Sequence, residues 1–254
     1  MNILNDFDEC KTAIINPDYN SSKIENFPKI GVTCFSKKII DKFVEVNNPE
    51  IIGYLKNTNG HVPIYKFNYK GVDVAIYMSP VGAPACTNFY EEILAKGLEK
   101  LVMFGTCGVL DKDIKDLAII IPTSAIRDEG TSYHYVKSSE EISVNEKYVS
   151  EFVETLNEHH YSYIKGKTWT TDAPYRETKA KMKKRKDQGC VCVEMECSAM
   201  SAVSKFRNKD FFQFFYAADN LDNAKWDSRS LGNEILLDEK TRIMLLAIEF
   251  AIKL

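Results

Sequence analysis

Apolar residues recur along the chain in two rhythms, and their succession predicts strands alternating with helices. Residues 29–34 form a short apolar run that reads as a buried strand. Ser36, a favourable N-cap, introduces a stretch with Ile39, Ile40, Phe43 and Val44 on one helical face. Residues 64–69 and 72–78 alternate in polarity around Lys70-Gly71 and predict a hairpin. Pro84 stands where a helix can start; Phe89, Ile93, Leu94 and Leu98 follow at helical spacing, with Gly97 near the end. Strands are expected at 101–104, 117–121 and 161–169, a helix at 148–156 and a basic, solvent-facing helix at 178–186. An apolar-faced helix over 195–206 precedes an aromatic strand over 211–217. A last helix over 239–254 carries Ile243, Leu246, Ala247, Phe250 and Leu254 in one stripe. This order implies an α/β fold: a mixed, mostly parallel central sheet flanked by helices in a single domain over 29–254. A polar arm over 1–28, punctuated by Pro17 and Pro28, precedes it.

Composition narrows the class. A chain of 254 residues buries enough surface to be stable without disulfides or metal. Lysine and arginine total 33 against 36 acids, a formal net charge of −3. That balance provides neither the basic field of a nucleic-acid binder nor a polybasic membrane signal. No apolar run approaches the ~20 residues that span a bilayer. The acidic N-terminus has no signal-peptide core, so a cytoplasmic protein is expected. The seven cysteines are odd in number and mostly embedded in apolar runs. Cys190, Cys192 and Cys197 lack the paired spacing of a zinc site, so reduced thiols and no metal are expected.

In sheets of this kind ligands gather beyond the carboxyl ends of the strands, which singles out three segments. The first, Phe104-Gly-Thr-Cys-Gly108, reads as a glycine turn able to approach an anion, with Thr106 adding a hydroxyl; a plain tight turn has the same pattern. The second, Val193-Glu-Met-Glu196, opens the apolar helix. Its carboxylates suit a pair of vicinal hydroxyls, as in a ribose diol, or equally a helix N-terminus. The third, Ala217-Ala-Asp-Asn-Leu221, sets Asp219 at the end of the aromatic strand, at the same sheet edge as Glu196. Asp219 could also be a simple cap.

These segments, in this order and spacing, resemble the nucleoside phosphorylase family, which includes hexameric purine nucleoside phosphorylases and uridine phosphorylases. The likeness also covers Val81-Gly-Ala-Pro84 and the run from Arg127 to Tyr135, and extends over roughly 29–254. It implies that Glu196 holds the ribose 2′- and 3′-hydroxyls, that Met195 packs under the sugar, and that Val193 and Glu194 line the nucleoside pocket. It further implies that Thr106 binds phosphate, that Cys107 and Gly108 border the base, and that Tyr175 stacks on it. Asp219 matches the general acid of the purine enzymes. The implied reaction is phosphorolysis of purine ribonucleosides, with orthophosphate as co-substrate, no resident cofactor, and a homo-oligomeric assembly.

The chain departs from the family at the phosphate site. Its first arginine is Arg127, and Met103 occupies the position before the glycines that is usually arginine. Val32-Thr-Cys-Phe-Ser36, followed by Lys37-Lys38, replaces the family's early glycine-rich loop, and Gly60-His61 falls where a neighbouring subunit's arginine is expected. Lys37, Lys38 and His61 are therefore candidates for the missing charge. Uridine phosphorolysis, hydrolysis and a non-catalytic nucleoside-binding domain are the alternative readings. Trp169 and Trp226 read as packing residues.

Overall fold

The computed structural model describes residues 3–232 and 236–254, so Met1 and Asn2 of the expected arm lie outside the described residues. The arm contains a 3-10 turn at Ile3–Asn5 and a single α-helical turn, α1 (Pro17–Asn20). It is tied to the body by Ile24 N–H donating to the Lys96 carbonyl and by the buried ring of Phe27. β1 (Ile30–Cys34) is buried from its second residue onward, as suits a strand covered on both faces. α2 (Lys37–Asn47) begins where Ser36 Oγ accepts the Ile39 amide, and it turns Ile39, Ile40 and Phe43 inward.

β2 (Glu50–Asn57), β3 (Gly60–Tyr69) and β4 (Val72–Met78) make an antiparallel meander. The sequence pattern reveals the β3–β4 hairpin but not β2, where Leu55 is the one fully buried residue and no apolar alternation arises. α3 (Ala83–Lys96) has Pro84 in its first turn and stops at Gly97, whose φ of 127° disfavours any side chain. Then follow β5 (Lys100–Val109), β6 (Ile119–Asp128), the three-residue β7 (Glu141–Ser143), α4 (Val149–Glu158), β8 (Tyr163–Thr171) and α5 (Lys179–Asp187). β9 (Cys190–Glu194), α6 (Cys197–Arg207), β10 (Asp210–Asn220) and α7 (Leu237–Ala251) complete the chain.

Among the described residues these elements form one mixed sheet of ten strands, flanked by helices as the sequence implied. One face packs α2, α4 and α7 over Val102, Phe104, Phe212 and Phe214. The Phe152 ring there lies 4.6 Å from Phe214 and 4.8 Å from Phe250. Each such phenylalanine contributes roughly 1.5–3 kcal/mol by leaving water. The other face packs Phe89, Tyr90 and Ile93 of α3 and Met200 and Val203 of α6 over Tyr77, Leu101 and Met103. No helix among the described residues is long and apolar enough to cross a membrane.

Part of the sheet closes on itself. β10 pairs in parallel with β5 and antiparallel with β6, while β6, β8, β9 and β5 are joined in turn. The five strands form a ring from which β1, β4, β3 and β2 extend. Closure sets β9, β5 and β10 side by side, and Gly108 of β5 stands opposite both Val193 and Asp219. Two residues of β10, Ala218 and Asp219, occupy a single step of β5, a bulge of the kind that re-aims a side chain.

Candidate active site

The segment Phe104-Gly-Thr-Cys-Gly108 is strand, not turn: it is the second half of β5. Its glycines make room rather than bend the chain. A Cβ at Gly105 would lie 2.6 Å from the Phe35 ring, and one at Gly108 would lie 2.5 Å from Leu221 Cδ1 and 3.2 Å from Asp219 Oδ1. Val193 and Glu194 likewise end β9, and the helix begins only at Cys197.

Glu194 organises that junction. Its Oε2 accepts the Glu196 and Cys197 amides at 2.8 and 2.7 Å, and its Oε1 accepts the hydroxyls of Thr170 at 2.6 Å and Thr168 at 3.2 Å. Four donors fill the acceptors of this buried carboxylate and place its charge at the N-terminus of α6, where the helix dipole favours it. Burial nevertheless pushes its pKa up to about 6. Glu196, 5% exposed, holds Gly82 N–H on Oε1 at 2.6 Å. Burial first, and then the neighbouring Glu194 charge, push its pKa up to about 8.

Asp219, 8% exposed, accepts the Trp226 indole N–H on Oδ2 at 2.8 Å. Burial raises its pKa against the opposing influence of that bond and of Arg229. Glu177 faces the same space. Burial and then the Asp219 charge push its pKa up to about 7.

One cleft of about 690 Å³ joins these groups, within the size range of small-molecule sites. Thr106, Cys107, Gly108, Tyr175, Val193, Glu194, Met195, Glu196 and Asp219 all line it. Tyr175 stands at the rim, 99% exposed. Cys107 is buried, and burial followed by its contact with Cys192 holds its thiol far above the ordinary value, so it is no thiolate nucleophile.

The expected basic residues are elsewhere. Met103 is sealed in the core. Arg127 is buried and donates to Ser132, Ser139 and the Val136 and Lys137 carbonyls, stapling the segment after β6. Lys37, Lys38 and His61 do not line the cleft; Lys179 is the cation that does, among the described residues. Trp169 is buried, as expected of a packing residue, but Trp226 is 63% exposed and lines the cleft. An isolated tryptophan in a polar stretch carries no local sign of facing a cavity. Glu177 stands two residues beyond Tyr175, and its proximity to Asp219 depends on ring closure rather than on spacing.

The register makes a test possible. Gly108→Ala is expected to displace Leu221 and the Asp219 carboxylate together, lowering activity at least tenfold while the fold survives. Circular dichroism beside a turnover assay checks this, and unchanged turnover would show that Asp219 needs no such space.

The model of the Phosphorylase superfamily matches residues 29–246 of this chain. A guanosine phosphorylase of Halorubrum lacusprofundi is 25% identical over 147 residues, covering 58% of this chain and 61% of its own length. Among solved structures, a uridine phosphorylase from Vibrio fischeri ES114 superposes with a TM-score of 0.75 at 20% identity, over 92% of this chain and 95% of its own. A futalosine hydrolase mutant of Helicobacter pylori strain 26695 superposes with a TM-score of 0.70 at 17% identity, over 89% and 99%. At those identities the two structures speak for the fold alone.

Proposed function

The chain belongs to the phosphorylase superfamily, and from that premise we propose that it cleaves the N-glycosidic bond of a purine ribonucleoside, with orthophosphate as acceptor. The observation that carries this reading is the single cleft into which two buried acids, Glu196 and Asp219, both face.

As the bond between the sugar C1′ and the base nitrogen breaks, its electron pair leaves with the base and positive charge grows on the ribose. Phosphate oxygen forms the new bond to C1′, giving free base and ribose-1-phosphate. In its ionised form Glu196, anchored at one oxygen by Gly82 N–H, accepts the sugar hydroxyls with the other and stabilises the cationic ribose. Asp219, whose raised pKa favours the protonated form, gives its proton to the purine N7. Each interaction strengthens as charge develops, which is what accelerates the step. Glu194 serves as the brace that fixes the turn bearing Met195 and Glu196. Thr106, Lys179 and backbone amides are left to hold phosphate. A purine fits Asp219 better than uracil does, because uracil has no N7 to receive the proton.

The absence of arginine from the cleft lining, among the described residues, favours hydrolysis as the second reading. A panel of purine and pyrimidine nucleosides assayed with and without phosphate separates the two. Phosphorolysis gives base release that depends on phosphate and yields ribose-1-phosphate. Equal release in phosphate-free buffer, with free ribose, establishes hydrolysis instead.

A further inference from the structure

We propose that Trp226 is a positioning residue for Asp219, holding the acid's orientation and directing its proton to the oxygen that meets the base. This rests on the reading of Asp219 as the general acid. The indole N–H donates to Asp219 Oδ2 at 2.8 Å. An N–H donor on Oδ2 favours that oxygen as an acceptor in both protonation states, so the proton of the neutral acid resides on Oδ1. A Cβ at Gly108 would lie 3.2 and 3.3 Å from the two Asp219 carboxyl oxygens, so the carboxyl lies close over β5 at a position that offers it no side chain. The indole supplies a side-chain hydrogen bond to the carboxyl, beside the bond from Asp219's own backbone.

Trp226 is not there for packing. It is 63% exposed in the segment between β10 and α7, yet it lines the cleft beside Leu221 and Asn223. An exposed aromatic at a cavity wall, with its polar edge committed to the acid, leaves its apolar face for a bound ligand to cover.

The charged and titratable groups around Asp219 come from several elements: Glu177 after β8, Arg229 and Asp227 beyond β10, and Cys107 on β5. Arg229 favours the ionised acid, while Asp227 and Glu177 oppose it. The indole bond also favours the ionised acid. Removing it raises the pKa of Asp219 further.

Two measurements test the proposal. The first needs no turnover. Of the two tryptophans, Trp169 is buried and donates to Asp128, whereas Trp226 is exposed beside Asp219. The emission of the free protein is expected to change as Asp219 titrates, and that transition is expected to vanish in both Trp226→Phe and Asp219→Asn. A transition that survives in Asp219→Asn overturns the pairing.

The second is the pH dependence of kcat/KM. A general acid loses activity as pH rises through its pKa, so Trp226→Phe is expected to move the alkaline limb to higher pH. It should also lower the plateau kcat about tenfold with a smaller change in KM. The limb should persist in Glu177→Gln, which separates Asp219 from Glu177, the cleft carboxyl whose titration its charge influences. An unmoved limb in Trp226→Phe overturns the positioning role even if nucleosides are cleaved. If the wild type cleaves no nucleoside, it is the catalytic reading that fails, and the emission titration still decides the pairing.

Discussion

Asp219→Asn is expected to lower kcat by about 10²–10⁴-fold toward a purine nucleoside with a poor leaving base, with little change in KM. The amide has nearly the shape of the acid and still presents an oxygen to the Trp226 indole, which the wild-type carboxylate meets at 2.8 Å. What it loses is the proton that the departing base needs. The defect should shrink for nucleosides whose base leaves readily without protonation, such as those already carrying positive charge on the ring. Steady-state kinetics over a series of leaving bases checks this. A uniform loss across the series would mean that Asp219 shapes the cleft without acting as an acid.

Glu196→Gln has two expected effects of opposite sign. Activity falls by two orders of magnitude or more, about the loss seen when a transition-state charge contact is removed, because a neutral amide cannot stabilise the cationic ribose. Stability at alkaline pH rises. The folded-state pKa of Glu196 is pushed up to about 8 from an ordinary 4.5. Between those values the folded protein holds a proton that the unfolded chain has released, so stability falls as pH increases through this window. Below the window the penalty is absent, and above it the penalty is complete. Glutamine does not titrate, and it retains an acceptor for Gly82 N–H. The variant's melting temperature should therefore exceed the wild type's by a margin that widens from pH 5 to pH 8, as read by calorimetry. A constant margin would place the ionisation of Glu196 outside that range.

These predictions concern residues that were legible in the sequence to different degrees. Glu196 and Asp219 stand out because an acid amid apolar residues is uncommon without a partner or a task. Their meeting at one cleft follows from strand order. The β1–α2 unit is equally legible, since Ser36 caps the helix and the buried positions repeat at its period. The glycines of β5 mislead because a turn and a close-packed strand both demand a missing Cβ; only the side chains of Phe35, Asp219 and Leu221 reveal which one applies. β2 leaves no apolar rhythm, being mostly exposed. Ring closure is invisible to local pattern because β5 and β10 pair across about a hundred residues of chain.

The same distinction explains the cleft's less expected members. Glu194 resembles Glu196 in sequence, yet four donors make it an internal brace. Arg127, the first arginine in the chain, is spent on its own loop, and no spacing rule distinguishes it from a phosphate ligand. Trp226 reaches Asp219 through the local return of the chain after β10, where Asn220 bridges Asp227, and Glu177 reaches it through the closed sheet.

If the cleft between β5, β9 and β10 breaks nucleosides with two acids, excess enzyme incubated with guanosine, inosine, adenosine and uridine in phosphate buffer should release product separable by chromatography. Free base is expected from at least one purine nucleoside with the wild type, and none above background with the Glu196→Gln, Asp219→Asn double variant. Base release by the double variant at the wild-type rate, or no release from any nucleoside by the wild type, would refute the two-acid cleft.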